Sequence, residues 1–348
     1  MKLREHYIDV AKGVAMLLVI IGHITIIPSW LYARINSFHM PLFFFLSGMV
    51  YNPYKYDKFK DFFKAKFKGL IIPYFFLCLI IIFWARIMCN PDGFYKLQIL
   101  EQFIGIFVSF RKSNFYASLW FFVALFFGEL LMYPIVKIIG KKFESENKNK
   151  VALTIFGIFL SVLGFIVLYY IRNGFFWSLD LVPLATSFLM FGYVAKLNKE
   201  KFNNITKLPI SILYLLISIV FTYLNFRIYG SSSMYNSVVG NFIYYMPAAL
   251  GGILLVITIC KKINSNRLLE YIGRNTITYY AFQKPIILKS ITTVINTLGS
   301  NITLFNNQII KIILITIIAV CVLGIISQMI TSTYPFILGK FKPKEKIS

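Results

Sequence analysis

Acidic side chains are scarce in this chain. Thirteen Asp and Glu stand against 36 Lys and Arg in 348 residues, and charged residues of both signs make up 14%. A soluble chain carries about 25%, so this one cannot clothe a water-facing surface of its size. There are three histidines and four cysteines. Cys78, Cys89, Cys260 and Cys321 have no CxxC spacing, which excludes a disulfide framework and a thiolate metal site. The histidines also lack ligand-type spacing, so no metal is expected. Internal repeats and inverted symmetry are missing, which weighs against a secondary transporter. The longest loop, about 89–115, is too small to bury a core of its own. The first apolar run has no convincing small-residue cleavage site and reads as a retained helix rather than a signal peptide.

What is present is hydrophobic: 58% of residues, with a mean hydropathy of +0.72. Ten apolar runs are long enough, or nearly so, to cross a bilayer. They cover about 10–28, 38–52, 69–88, 116–139, 151–171, 177–196, 208–226, 240–260, 275–293 and 309–332. Segment 94–110 is apolar but interrupted and reads as an interfacial helix. The net charge of +23 would suit nucleic acid, but the basic residues sit in short loops between apolar runs, so no nucleic-acid partner is expected. Alternate loops hold 24 Lys and Arg against 7 in the intervening ones, which places both termini in the cytoplasm. The expectation is an all-α integral membrane protein, one polytopic domain over 1–348 with about ten transmembrane helices. Its expected place is the plasma membrane of a bacterium, in contact with membrane lipid.

The first run, DVAKGVAMLLVIIGHITIIP, carries Asp9, Lys12 and His23. Lys12 and His23 are eleven positions apart and fall within roughly 20° of each other on a helix. Asp9 lies within roughly 60° of both. The rise from Lys12 to His23 is about 16 Å, which sets one near a membrane surface and the other inside. Ionisable groups at that depth are costly and mark functional sites by default. A polar contact between packed helices is the bland alternative, weakened here because three groups share one stripe.

Later segments add candidates. NSFHMPLFFFLSGMVY (36–51) follows a very short outer loop, so His39 could share a cavity with His23. Ser47 lies within it as a candidate acyl carrier. Lys64, Lys66 and Lys68 recur with aromatics before Pro73-Tyr74. Such a cluster can hold phosphates or simply contact headgroups. Glu129 sits mid-helix and needs a partner such as Lys12. Asp180 lies near the outer end of helix six. Trp120 and Trp177 read as belt residues at the interface, and Tyr244, Tyr245, Tyr279 and Tyr280 either line a sugar site or pack.

The pattern Asp9-x-x-Lys12-Gly13 with Gly22-His23, then SFHMPLFFFLSG (37–48), LIIPY (70–74) and LWFFVALFFGE (119–129), resembles the membrane-bound acyltransferase-3 family. IDVAKG and SFHMPLFFFLSG look most like its fucose 4-O-acetylase-like branch. The resemblance implies an O-acyltransferase of about ten helices. It would move an acyl group, acetyl by default, from cytoplasmic acyl-CoA to a hydroxyl of a polysaccharide or glycolipid sugar. Acetyl-CoA would be a co-substrate, and no tightly bound cofactor is implied. The family's basic residue and histidine of helix one map to Lys12 and His23, and its basic residues before helix three to the Lys64–Lys68 region. Many relatives carry a late His where this chain has Gln283.

A sugar hydroxyl is a poor nucleophile until a base takes its proton, and His23 is assigned that role. Asp9 lies about 21 Å of helix from His23, so it is assigned to positioning Lys12 or the cofactor mouth. Glu129 and Asp180 are the candidates to support His23. Lys12, Lys64, Lys66 and Lys68 would hold the CoA phosphates, with His39, Ser47 and Trp120 as further substrate or supporting residues. The competing reading is a transporter or flippase of lipid-linked sugars with His23 as a proton relay.

Overall fold

A computed structural model describes residues 5–88, 96–108, 117–172, 174–298 and 307–340. Within these residues the regular structure is helical, with one isolated β-bridge between Ser233 and Val238. Helix α1 (His6–Gly22) has 17 residues and buries Val10, Ala11, Ala15, Met16, Val19 and Ile20. It stops at Gly22 rather than continuing to Pro28. His23 caps it, donating its backbone N–H to the carbonyls of Val19 and Ile20. Pro28 biases its predecessor to an extended conformation, and the chain re-enters as α2 (Ser29–Asn36). Helix α3 (His39–Val50) has 12 residues, a rise of about 18 Å.

Helix α4 (Phe59–Lys66) passes through a π-helical turn, Phe67–Ile71, into α5 (Ile72–Met88). Helix α6 (Lys96–Val108), in the segment read as interfacial, is tied to α5 by a 3.0 Å bond from the Tyr74 hydroxyl to the Ile106 carbonyl. Then come α7 (Trp120–Lys142), α8 (Glu146–Tyr170), α9 (Val182–Leu197), α10 (Lys199–Ile205) and α11 (Ser211–Tyr229). The last five are α12 (Phe242–Ile263), α13 (Arg267–Arg274), α14 (Thr276–Phe282), α15 (Lys289–Leu298) and α16 (Gln308–Thr333).

Every apolar run falls on a helix, but among the described residues seven helical segments are long and apolar enough to cross a membrane. Three of the ten runs fall short of that length. Two are the helices α1 and α3. The third, 275–293, is broken where α14 gives way to a π-helical turn, Gln283–Leu288, before α15. Pro285 has no N–H to donate there, and the wider turn takes up the missing bond.

Packing sorts the helices by depth. The segment Phe176–Leu197 is the most enclosed of the seven, while Leu208–Tyr229 and Gln308–Thr333 are the least. The outer helices turn Ile212, Leu216, Ile313 and Ile317 away from the protein, as a lipid-facing wall requires. At the centre α3 and α9 touch backbone to backbone. A Cβ on Gly48 would sit 2.0 Å from the Leu189 carbonyl oxygen, and one on Gly192 1.9 Å from that of Phe45. In lipid, apolar burial does not drive helices together, so small residues that admit close approach do that work. These contacts fix α3 against α9, and α3 sets His39 at the end of the bundle where α1 stops.

Candidate functional site

At that end lies a cavity of about 140 Å³. A cavity of about 150 Å³ holds one benzene, so the space takes a ring-sized group. Helix α1 supplies Val19, Gly22 and His23, and α2 supplies Tyr32 and Asn36. His39 and Met40 enter from the start of α3, Ser118 and Trp120 from the start of α7. Tyr280 and Lys284 come from α14 and its π-helical turn, and residues 233–236 close one side. Among the described lining residues no side chain is acidic.

The two histidines expected to meet do meet, at opposite helix ends. His23 closes α1, where the last carbonyls point their negative end at it; His39 opens α3, where the positive end lies. His39 Nδ1 donates to the Ile35 carbonyl at 2.8 Å. A carbonyl only accepts, so Nδ1 carries the proton and Nε2 of the neutral ring is left as an acceptor. His23 Nδ1 lies 3.1 Å from Oε1 and 2.9 Å from Nε2 of the Gln283 amide. Its partner is this amide from the π-helical turn, and not Glu129 or Asp180. The sequence comparison had singled out position 283 only as a departure from relatives.

Trp120 is buried, not a belt residue, and packs on Phe44 and Phe121 with ring centroids 6.4 and 6.3 Å away. Tyr280 stacks beside Phe121 and Phe122. Of the other tyrosines, Tyr245 is buried against Phe165 and Tyr279 donates to the Val320 carbonyl at 3.3 Å. Tyr244 is half-buried, and none of these three lines the cavity. Trp177 is half-buried and packs on Tyr74 and Phe127, in a left-handed backbone conformation with φ 54°.

Asp180 has another role than supporting His23. It is buried, accepts the Ser237 hydroxyl at 2.9 Å and the Phe175 backbone N–H at 3.2 Å. It thereby pins the segment that contributes Ser233, Met234, Tyr235 and Asn236. Asn225 holds the same segment from α11, donating to the Val239 carbonyl at 3.0 Å and accepting from the Asn241 N–H at 3.0 Å. No local motif announced this segment; its residues are ordinary loop types, and only the tertiary fold brings them to the cavity.

The basic cluster divides. Lys66 is half-buried and donates to Glu129 Oε1 at 2.8 Å, while Lys64 and Lys68 are exposed. Lys12 also acts on the Glu129 carboxylate. Glu129 lies nine residues, about 13 Å, along α7 from Trp120, so it does not face the cavity. Lys66 therefore serves a buried carboxylate rather than standing open to phosphate. Asp9 is paired to Arg274 Nε at 3.3 Å, and Arg274 also pairs with Glu270. That joins α1 to α13 rather than serving a cofactor mouth. Ser47 is half-buried two turns along α3 from His39 and does not line the cavity. The Ser118 hydroxyl does line it, and is buried with no hydrogen-bond partner among the described residues.

No curated protein and no solved structure matches the chain. A family model described as an acyltransferase domain matches residues 5–328, nearly the whole sequence; the chain belongs to the acyltransferase-3 family.

Proposed function

We propose that the protein transfers an acetyl group from acetyl-CoA to a hydroxyl of a sugar in a cell-surface polysaccharide or glycolipid, with His23 as the general base. The likeness of IDVAKG and SFHMPLFFFLSG to the fucose 4-O-acetylase-like branch supports a sugar acceptor. One observation carries the assignment of the base: two imidazoles converge on one aromatic-walled cavity, and only His23 stands at a helix C-terminus. The carbonyls there favour the imidazolium that forms as the proton is taken. The Gln283 amide is turned so that Oε1 accepts from Nδ1–H, and Nε2 faces the acceptor. It removes the hydroxyl proton as the oxygen attacks the thioester carbonyl. The C–S bond breaks, and the CoA sulfur leaves with the proton that the imidazolium returns. His39, at a helix N-terminus that disfavours positive charge, stays neutral and accepts from a second sugar hydroxyl through Nε2. Trp120 and Tyr280 pack on the sugar's apolar face. Lys64 and Lys68, with Lys12 deeper in, gather the CoA phosphates at the far end of α1, in the cytoplasm of a bacterial cell whose plasma membrane holds the protein.

Release of CoA from acetyl-CoA by purified protein in nanodiscs, with a panel of free and lipid-linked glycans, tests this. Turnover by the wild type, a loss of about 10²–10⁴-fold in His23→Ala and a smaller loss in His39→Ala are expected. Normal turnover in His23→Ala removes His23 as the base. Failure of the wild type to bind acetyl-CoA removes the donor.

A further inference from the structure

The charge balance of the cavity points to the class of acceptor. Among the described residues that line it, Lys284 is the only lysine or arginine, and none is an acid. Its ammonium lies 5.7 Å from the Tyr235 ring centroid. Among the described residues no carboxylate lies within ion-pair reach of it. Elsewhere in the fold Lys66 pairs with Glu129 and Arg274 with both Asp9 and Glu270, whereas Lys261 donates to Asn203 and Thr206 and Arg34 to Ser218, all neutral oxygens. Lys284 is itself exposed, so its ammonium, with an aromatic ring on one side and no acid among the described lining residues, is open to an anionic group entering the cavity.

Lys284 also follows directly on Gln283, the residue that holds His23. Both belong to the π-helical turn Gln283–Leu288, a kind of turn that recurs at functional sites. Successive side chains on a helix diverge by roughly 100°. One residue therefore orients the base while the next presents a positive charge to the same cavity. Tyr235 and Asn236 face it from the segment pinned by Asp180.

We propose that the acceptor is an anionic sugar. Lys284 pairs with a carboxylate or phosphate carried by the residue whose hydroxyl His23 deprotonates, or by its immediate neighbour. This inference rests on the sugar-acceptor reading above and narrows it. Lys284 is a specificity residue: it selects charged over neutral glycans and takes no part in proton transfer. A neutral sugar would leave the ammonium without a partner, so it is disfavoured by omission rather than by a clash.

Binding separates this proposal from the reading beneath it. Full-length protein in zwitterionic nanodiscs would be titrated calorimetrically with a glucuronate-containing oligosaccharide and with its glucose counterpart. The wild type should bind the acidic glycan about 5- to 30-fold more tightly, the range of a charge-assisted hydrogen bond partly open to water. In Lys284→Gln the two glycans should bind alike, and Lys284→Glu should prefer the neutral one. Added salt should weaken only the acidic glycan. Equal binding of both glycans by the wild type overturns the inference and leaves the sugar-acceptor reading standing. So does a preference that survives in Lys284→Gln. A preference lost when the nanodisc contains anionic lipid assigns Lys284 to headgroup phosphates and also overturns it. Binding of neither glycan overturns the sugar-acceptor reading itself. Unaltered acetyl-CoA binding in each variant shows that the fold is retained.

Discussion

His23 Nδ1 lies 3.1 Å from Oε1 and 2.9 Å from Nε2 of the Gln283 amide, across 260 residues of chain. The contact joins the end of the first helix to a π-helical turn late in the sequence, and it decides which face of the imidazole meets the cavity. The proposed chemistry needs Oε1 turned to Nδ1, which keeps the proton there and leaves Nε2 free for a hydroxyl. Gln283 is thus a positioning residue. Gln283→Leu should lower kcat by about 10–100-fold with the acceptor KM nearly unchanged. Gln283→Glu, which keeps an oxygen acceptor in the same place, should recover most of the loss. Steady-state kinetics on the two variants check this. A loss in Gln283→Leu that Glu does not recover would mean that the amide N–H, not its oxygen, is what His23 needs.

Lys66 and Glu129 form the second relationship with a measurable consequence. Glu129 is buried, and its second oxygen has no hydrogen-bond partner among the described residues. Removing Lys66 leaves that carboxylate in a poorly solvated place with less compensation. Lys66→Met should cost about 2–3 kcal/mol, below the figure for a wholly buried pair because Lys66 is partly exposed. The double variant Lys66→Met/Glu129→Met should regain much of the loss. Thermal unfolding in detergent over the four-member cycle reads the coupling.

Asp180 makes its prediction through the segment it holds. Asp180→Ala removes the acceptor for the Ser237 hydroxyl and the Phe175 N–H. The cost in stability should be about 1–3 kcal/mol. The acceptor KM should rise more than kcat falls, because Ser233, Tyr235 and Asn236 lose their placement while His23 and Gln283 keep theirs. Ser237→Ala removes only one of the two bonds and should show a weaker form of the same pattern. A fall in kcat alone would place Asp180 in the chemistry instead.

The sequence was most legible where helical period carries the information. His39 reaches the cavity of His23 because the segment between α1 and α3 is short. The division of the lysines follows from the same helical period. Lys64 and Lys68 are four apart and share a helix face, while Lys66, two residues from each, points the other way. That is the arrangement observed, with Lys66 turned to Glu129 and its neighbours exposed. What could not be read is pairing between distant segments. Asp9 with Arg274, Asp180 with Ser237 and His23 with Gln283 each depend on which helices lie side by side.

The joint between α1 and α13 should respond to acid. Glu270 accepts from the Ser265 hydroxyl at 2.6 Å and lies 3.1 Å from His6 Nδ1, with Arg274 on its other oxygen. The Ser265 and His6 hydrogen bonds, followed by the nearby positive charges, hold the Glu270 carboxyl below the usual carboxylate range. A carboxyl depressed by folding contributes stability above its unfolded value, and that contribution fades as the pH falls through the folded value. The loosening therefore belongs below the ordinary carboxylate range and not near neutrality. Hydrogen exchange at α13 should rise as the pH is lowered through that window, after correction for the intrinsic exchange rate. Glu270→Gln, which has no charge to lose, should begin less protected and show a flatter response. An identical acid response in the two proteins would place the sensitivity at another carboxylate. Asp9, which shares Arg274, would then be the next residue to vary.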